Sequence, residues 1–249
     1  MPKTFQRIAY ETLDVCNGVE MSAIEAMVAR CGLASGATAA DVGTGNAGVA
    51  VRLAQRFGLS VAAIEYDPAM AELAHERIQA AGAMDRVSLV VGSAADALID
   101  APPPDLITAL GTTDVTGEKC PTPDAALTFL RSRLKPGGWL LWGDLVWLSE
   151  PPGPLRQLVE VTNLYADDAG WRAAAEGAGF EVVEVRLSSQ AVFDAYARDS
   201  VGAVRDWLAA NPDAPEAPQV RFSADRVQAF FEFGRGVMGF GLYLLRNRD

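Results

Sequence analysis

The chain has 249 residues, room for one large domain or two small ones at about 150 residues each. Half of its residues are hydrophobic and 21% are charged, which excludes a disordered, collagen-like or coiled-coil chain. Lys and Arg number 21 against 32 Asp and Glu, for a formal charge of -11, and this balance argues against nucleic-acid backbones and anionic membranes, both held mainly by clustered cations.

The opening segment, MPKTFQRIAYETLD, carries Arg7, Glu11 and Asp14 where a signal peptide needs an unbroken apolar run. No stretch approaches the roughly 18 apolar residues of a membrane span. Cys16, Cys31 and Cys120 form neither a C-x-x-C pair nor an even-numbered disulfide set. A soluble protein of a reducing compartment, the cytoplasm, is expected. A single histidine, His75, lies off the apolar face of its helix, so Ser-His and Cys-His dyads and multi-histidine metal sites have no basis.

Residues 19–31 read as an amphipathic helix, with Met21, Ile24, Val28 and Cys31 on one side. Short apolar runs then alternate with amphipathic stretches, the pattern of a parallel sheet with crossover helices. Strands are predicted at 39–42, 60–64, 87–91, 105–110, 139–143, 181–187 and 237–245. Between the first two, Ala50, Leu53, Ala54 and Phe57 recur at helical spacing and Gly58 supplies a C-terminal cap. Asp67 as N-cap and Pro68 as first residue open a helix to about residue 81. Thr122 and Pro123 repeat the signal for a helix ending near residue 134, and a further helix is expected over 168–178.

Some 48 residues separate the last two strands. Phe193, Ala197, Val201, Val204 and Leu208 mark one helical stripe, residues 211–218 a Pro-rich linker, and Ser223 the cap of a second helix through Phe233. The chain is expected to form a single domain: an N-terminal helical cap (1–36), a core (37–188), a helical insertion able to act as a lid (189–236) and a last strand (237–249). Surplus helices of this kind often roof a ligand crevice.

The stretch DVGTGNAG follows the first strand and opens a helix, so Gly43, Gly45 and Gly48 allow a tight turn and close approach to a ligand. Glu65, at the end of the second strand, is placed to accept hydrogen bonds from ribose hydroxyls. Together they indicate an adenosine-containing ligand; G-T-G-N-A-G also fits the dinucleotide fingerprint, and an NAD(P)-dependent oxidoreductase is the alternative.

The wider set resembles the class I S-adenosylmethionine-dependent methyltransferases. In that family an acidic residue ends the first strand two places before the first glycine, and Asp41 matches it; IEYDP resembles the ribose-binding strand end, VVGSAADAL the third motif and LKPGGWLLWGD the strand-five signature. These motifs run in the family's order over about residues 39–145. The resemblance implies an α/β, Rossmann-like fold: a seven-stranded, mostly parallel sheet of order 3-2-1-4-5-7-6 with the last strand antiparallel and helices on both faces. It further implies S-adenosylmethionine as cofactor and S-adenosylhomocysteine as product. Asp41 would hold the methionine part, with Gly43, Thr44, Gly45 and Gly111 around the cofactor, Glu65 on the ribose, and Tyr66, Ser93 and Ala94 against adenine. Ser93 departs from the Asp usual in the family, which leaves a neutral partner for the adenine amino group.

A sulfonium is already a good leaving group, so orientation alone can lower the barrier by about 7 to 11 kcal/mol, and no catalytic side chain is identified. The acceptor belongs beyond strands four and five, where Gly111, Thr112, Thr113, Asp114, Asp144 and Trp147 stand. Trp142, Trp147, Tyr10, Tyr165, Tyr196 and Phe193 supply a possible aromatic wall for a planar or cationic acceptor, and Tyr10, Asp114, Asp144 and Trp147 are the candidate pocket residues. Metal-assisted relatives place Asp-Asn after strand five; here Asp144 precedes Leu145, and no metal is expected. A small-molecule acceptor is expected, the oligomeric state stays open, and a non-catalytic S-adenosylmethionine-binding module is a further alternative.

Overall fold

The computed structural model describes residues 3–112, 114–118, 122–160 and 166–248. The sheet is built from β1 (Thr38–Val42), β2 (Ser60–Glu65), β3 (Val87–Val91), β4 (Leu106–Leu110), β5 (Trp139–Trp147), β6 (Ala166–Asp167), β7 (Phe180–Leu187) and β8 (Met238–Asn247). Its order is β3-β2-β1-β4-β5-β8-β7, with the two-residue β6 added beside β5. The first five strands run parallel, and β8 lies antiparallel between β5 and β7. This is the expected order with one short strand more.

Helices α1 (Phe5–Ala9), α2 (Met21–Arg30), α3 (Gly48–Phe57), α4 (Pro68–Ala80), α5 (Ala94–Asp100), α6 (Pro123–Ser132), α7 (Gly153–Glu160), α8 (Asp168–Gly177), α9 (Gln190–Ala210) and α10 (Ala217–Gly234) surround the sheet. The caps act where the sequence signals them. Asp67 accepts from the Ala69 N–H and Thr122 from the Ala125 N–H, and Gly58 closes α3 in the left-handed conformation. Apolar side chains fill two layers. One, with Ile24, Leu53 and Ile78, lies on one sheet face; the other, with Leu127, Leu130 and Trp171, lies on the opposite face.

Three expectations change. β5 runs four residues past 143, because its antiparallel pairing with β8 continues to Trp147 opposite Met238. Asp144 and Trp147 are therefore strand residues rather than loop residues. The last helix starts at Ala217, so Ser223 lies inside it; Pro218 sits in the first turn, where its missing N–H costs nothing. Helices α1, α5 and α7 were not anticipated, being too short to show a clear period.

A separate apolar cluster ties the N-terminus to the insertion: Phe5, Ile8 and Ala9 of α1 pack with Val204 and Leu208 of α9 and Val220 and Ala224 of α10. The segment between α1 and α2 then crosses the glycine turn. Asn46, fully buried, donates its side-chain N–H groups to the carbonyls of Tyr10 (2.8 Å) and Leu13 (2.7 Å). The Arg77 guanidinium reaches the Leu13 carbonyl at 2.8 Å, and Asn17 donates to the Leu110 carbonyl at 3.0 Å. Truncating Phe5 to Ala removes the largest side chain α1 contributes to this cluster and is expected to cost about 3 kcal/mol locally. Amide exchange should quicken in α1 and α9 while the sheet keeps its protection; unchanged exchange in both helices would show that the cluster does not hold them.

Candidate functional site

β1 delivers the chain into the turn that precedes α3. Gly43 and Gly45 both take positive φ (65° and 59°), the left-handed region that favours glycine. An added Cβ on Gly43 would stand 2.8 Å from the Cβ of Thr112, so the turn and the end of β4 meet in van der Waals contact. Beneath the turn, Asp41 is fully buried and holds two hydroxyls: Thr108 Oγ1 donates to Oδ1 and Thr44 Oγ1 to Oδ2, each at 2.5 Å. Burial raises its pKa, and the two hydroxyl bonds oppose the rise.

Glu65, nearly buried at the end of β2, is oriented by main-chain donors. Oε2 accepts from the Gly45 N–H at 2.8 Å and Oε1 from the Asp67 N–H at 2.9 Å, which leaves each oxygen a further lone pair. Burial raises its pKa, with the N–H bonds acting the other way. In front of it lies a cleft of about 430 Å³, lined by Gly43, Glu65, Tyr66, Ser93, Ala94 and Thr112, with Asp114 at the far side. The Tyr66 side chain is 77% exposed on the rim. Ser93 caps α5: its hydroxyl accepts from the Asp96 N–H at 3.1 Å and donates to the Asp96 carboxylate at 2.7 Å. Asp41, Thr44 and Gly45 stand behind the turn and do not line this cleft.

A second, smaller chamber of about 190 Å³ adjoins it. The N-terminal segment contributes Tyr10 and Asn17, the insertion Phe193, Tyr196, Phe230 and Phe231, and the sheet Gly111, Asp144, Leu145 and Phe240. The hydroxyls of Tyr10 and Tyr196 are 3.0 Å apart, and burial pushes the Tyr10 hydroxyl up to about 12. Gly111 belongs to the chamber and Thr112 to the cleft, so the two spaces flank a single peptide unit at the end of β4.

Asp144 touches the chamber but does not open into it. Side chains alternate along a strand, and Trp142 and Val146 pack on the face opposite the layer containing Phe240, which directs Asp144 under the floor. Oδ1 accepts the Leu145 N–H at 2.7 Å; Oδ2 is buried with no hydrogen-bond partner among the described residues. Burial pushes its pKa up to about 7.

Of the four candidate pocket residues, Tyr10 and Asp144 border the chamber, Asp114 lies in the cleft, and Trp147 is buried in the main core. The expected aromatic wall is corrected in the same way. Phe193, Tyr10 and Tyr196 stand together, whereas Trp142 packs on Trp171 within the layer that contains Leu127 and Leu130, ring centroids 5.4 Å apart. Tyr165, Thr113 and Cys120 lie outside the described residues. Phe230, Phe231 and Phe240 were missed; the adjacent phenylalanines of α10 were the available signal. Among the described residues, no group of three or more His, Cys, Asp and Glu side chains is placed to hold a metal, and no helix is long and apolar enough to cross a membrane.

The strand order, the antiparallel β8, the glycine turn and the acid ending β2 define a methyltransferase-type α/β fold. A family model described as a methyltransferase domain matches residues 39–138. The chain is 26% identical over 212 residues to the uncharacterized protein YjhP of Escherichia coli (strain K12), covering 84% of each. Two solved structures of S-adenosylmethionine-dependent methyltransferases in complex with S-adenosylhomocysteine also align. The one from Geobacter sulfurreducens has a TM-score of 0.83 and the one from Thiobacillus denitrificans 0.82; each is 23% identical, with 98% of both chains covered. These likenesses show the α/β fold shared with S-adenosylmethionine-dependent methyltransferases, with residues 39–138 similar to a methyltransferase domain.

Two outcomes follow from the geometry. Gly43→Ala places a Cβ against Thr112 and forces a positive φ on alanine, so it is expected to destabilise by about 1 to 3 kcal/mol in denaturant titration. The folded form keeps a proton on Asp144 that the unfolded chain releases in the ordinary carboxylate range. Stability therefore falls as pH rises from that range and levels off above about pH 7. Asp144→Asn is expected to remove this slope and to be the more stable form by a few kcal/mol at about pH 8. Urea titrations at about pH 5 and about pH 8 measure it; a slope that survives the substitution would assign it to another group.

Proposed function

We propose that the chain transfers a methyl group from S-adenosylmethionine, bound in the cleft, to a small-molecule acceptor held in the aromatic chamber. The observation that carries the reading is the shared boundary: the cleft beside Glu65 and the chamber beside Tyr10 flank the Gly111-Thr112 peptide unit at the carboxyl end of β4. A crevice outside the carboxyl ends of parallel strands is where such folds bind ligands.

The residues fit the nucleoside. Glu65 is pre-oriented by two N–H donors and retains lone pairs for ribose hydroxyls, Gly43 leaves the turn without a side chain, and Tyr66, Ser93 and Ala94 edge the space suited to adenine. Asp41 supports the site from behind by fixing Thr44 and Thr108. S-adenosylmethionine, when bound, supplies a methyl carbon on a sulfonium leaving group. The chain's own part is positional: the sheet ends carry both spaces, while the N-terminal segment and the 189–236 insertion cover the acceptor and exclude water. The S-adenosylhomocysteine held by the two solved structures supports the choice of cofactor. The acidic balance of the chain supports a small-molecule acceptor over nucleic acid.

Isothermal titration with S-adenosylhomocysteine and with NADH tests the reading. The sulfur ligand should bind and NADH should not; the reverse would make the chain a dinucleotide enzyme. Glu65→Ala should weaken the sulfur ligand by about 1 to 3 kcal/mol, the range for losing hydrogen bonds to a charged group. An unchanged dissociation constant would put the ribose elsewhere.

A further inference from the structure

We propose that the chamber selects an uncharged acceptor carrying a single aromatic ring, clasped by Phe231 and the rings around it, and rejects carboxylates and ammonium ions of the same size. The inference rests on the proposed methyl-transfer reading and concerns the acceptor alone.

The walls carry the argument. Phe231 is the hub of a ring cluster, with centroids 5.4 Å from Phe193, 5.7 Å from Tyr196 and 5.5 Å from Phe230, at interplanar angles of 72°, 86° and 69°. This edge-to-face arrangement is the one aromatic quadrupoles favour, and a ligand ring can continue it. A volume of about 190 Å³ is below the roughly 300 Å³ at which drug-sized pockets begin, which restricts the guest to one ring with small substituents.

The walls carry no cation. Among the described residues, the lining includes no Lys, Arg, His or Glu, so an anionic guest finds no counter-charge. Three arginines of the insertion are engaged on its outer side. Arg198, Arg205 and Arg235 border a groove behind Phe231 and pair with Asp199, Asp225 and Asp194 at 2.9 to 3.1 Å. A cation fares no better. Among the described residues the one acid of the lining is Asp144, which strand alternation sets on the Trp142 face of the sheet and whose Oδ2 is buried without a hydrogen-bond partner. A buried charge without a partner is disfavoured strongly enough to outweigh the contact of its ring. The polar features that remain are neutral: the Tyr10 and Tyr196 hydroxyls, Asn17, Gln6 and Ser200.

The experiment is a titration of the protein saturated with S-adenosylhomocysteine, using three ring probes of matched size: phenol, benzoate and benzylammonium. Phenol is expected to bind at least roughly tenfold more tightly than either ion. Phe231→Ala opens the wall between the chamber and the outer groove and should weaken phenol several-fold, with the affinity for S-adenosylhomocysteine unchanged. Phe231 is half-buried on the insertion, away from the sheet core, so the variant should fold. Equal or tighter binding of benzoate or benzylammonium, no saturable binding of phenol, or a Phe231→Ala variant that binds phenol as before would each overturn the proposal. If S-adenosylhomocysteine itself fails to bind, the underlying reading of the cleft falls, and that is seen before any ring probe is added.

Discussion

The structure turns on the sharp reversal between β1 and α3. Two glycines in the left-handed region make the turn possible, and buried polar contacts on both sides make it rigid. Asp41 holds Thr44 and Thr108 from below, Glu65 takes the Gly45 N–H from the side, and Asn46 ties the turn to the carbonyls of Tyr10 and Leu13. A buried carboxylate is tolerable only because its oxygens are satisfied, so each of these bonds constrains the next. The cleft inherits its shape from this network: a Glu65 fixed by main-chain donors offers its spare lone pairs in one direction.

The same turn organises the chamber. By gripping the segment between α1 and α2, Asn46 and Arg77 bring Tyr10 over the sheet ends, where it meets Tyr196 from the insertion. The apolar contact of α1 with α9 and α10 closes the arrangement from the outside. Three stretches of chain, from residues 5–18, 193–231 and the strand ends, thus contribute to one small space. Its chemistry is that of aromatic faces and paired hydroxyls, unlike the acidic exterior, which suits a guest that sheds its water on entry.

Asp144 illustrates how a sequence position can mislead. It ends the strand-five signature and resembles an acid placed for catalysis. Pairing of β5 with β8 extends the strand through Trp147, and the alternation of side chains then decides that Asp144 faces the Trp142 layer. An acid buried in that way keeps its proton well above the ordinary carboxylate range, up to about pH 7.

Local signals determined most of the frame. Period-two and helical patterns, the Asp67-Pro68 and Thr122-Pro123 caps and the glycine turn are short-range features, because their physics involves neighbours along the chain; with Glu65 they indicated an adenosine-containing ligand, while the strand order and the role of Asp41 came from the family resemblance. The extra length of β5, the register of β8, the burial of Trp142 and Trp147 and the meeting of Tyr10 with Tyr196, 186 residues apart, were decided by the tertiary structure. An aromatic residue at apolar spacing satisfies a core and a ligand wall equally well, and only long-range packing shows which of the two it faces.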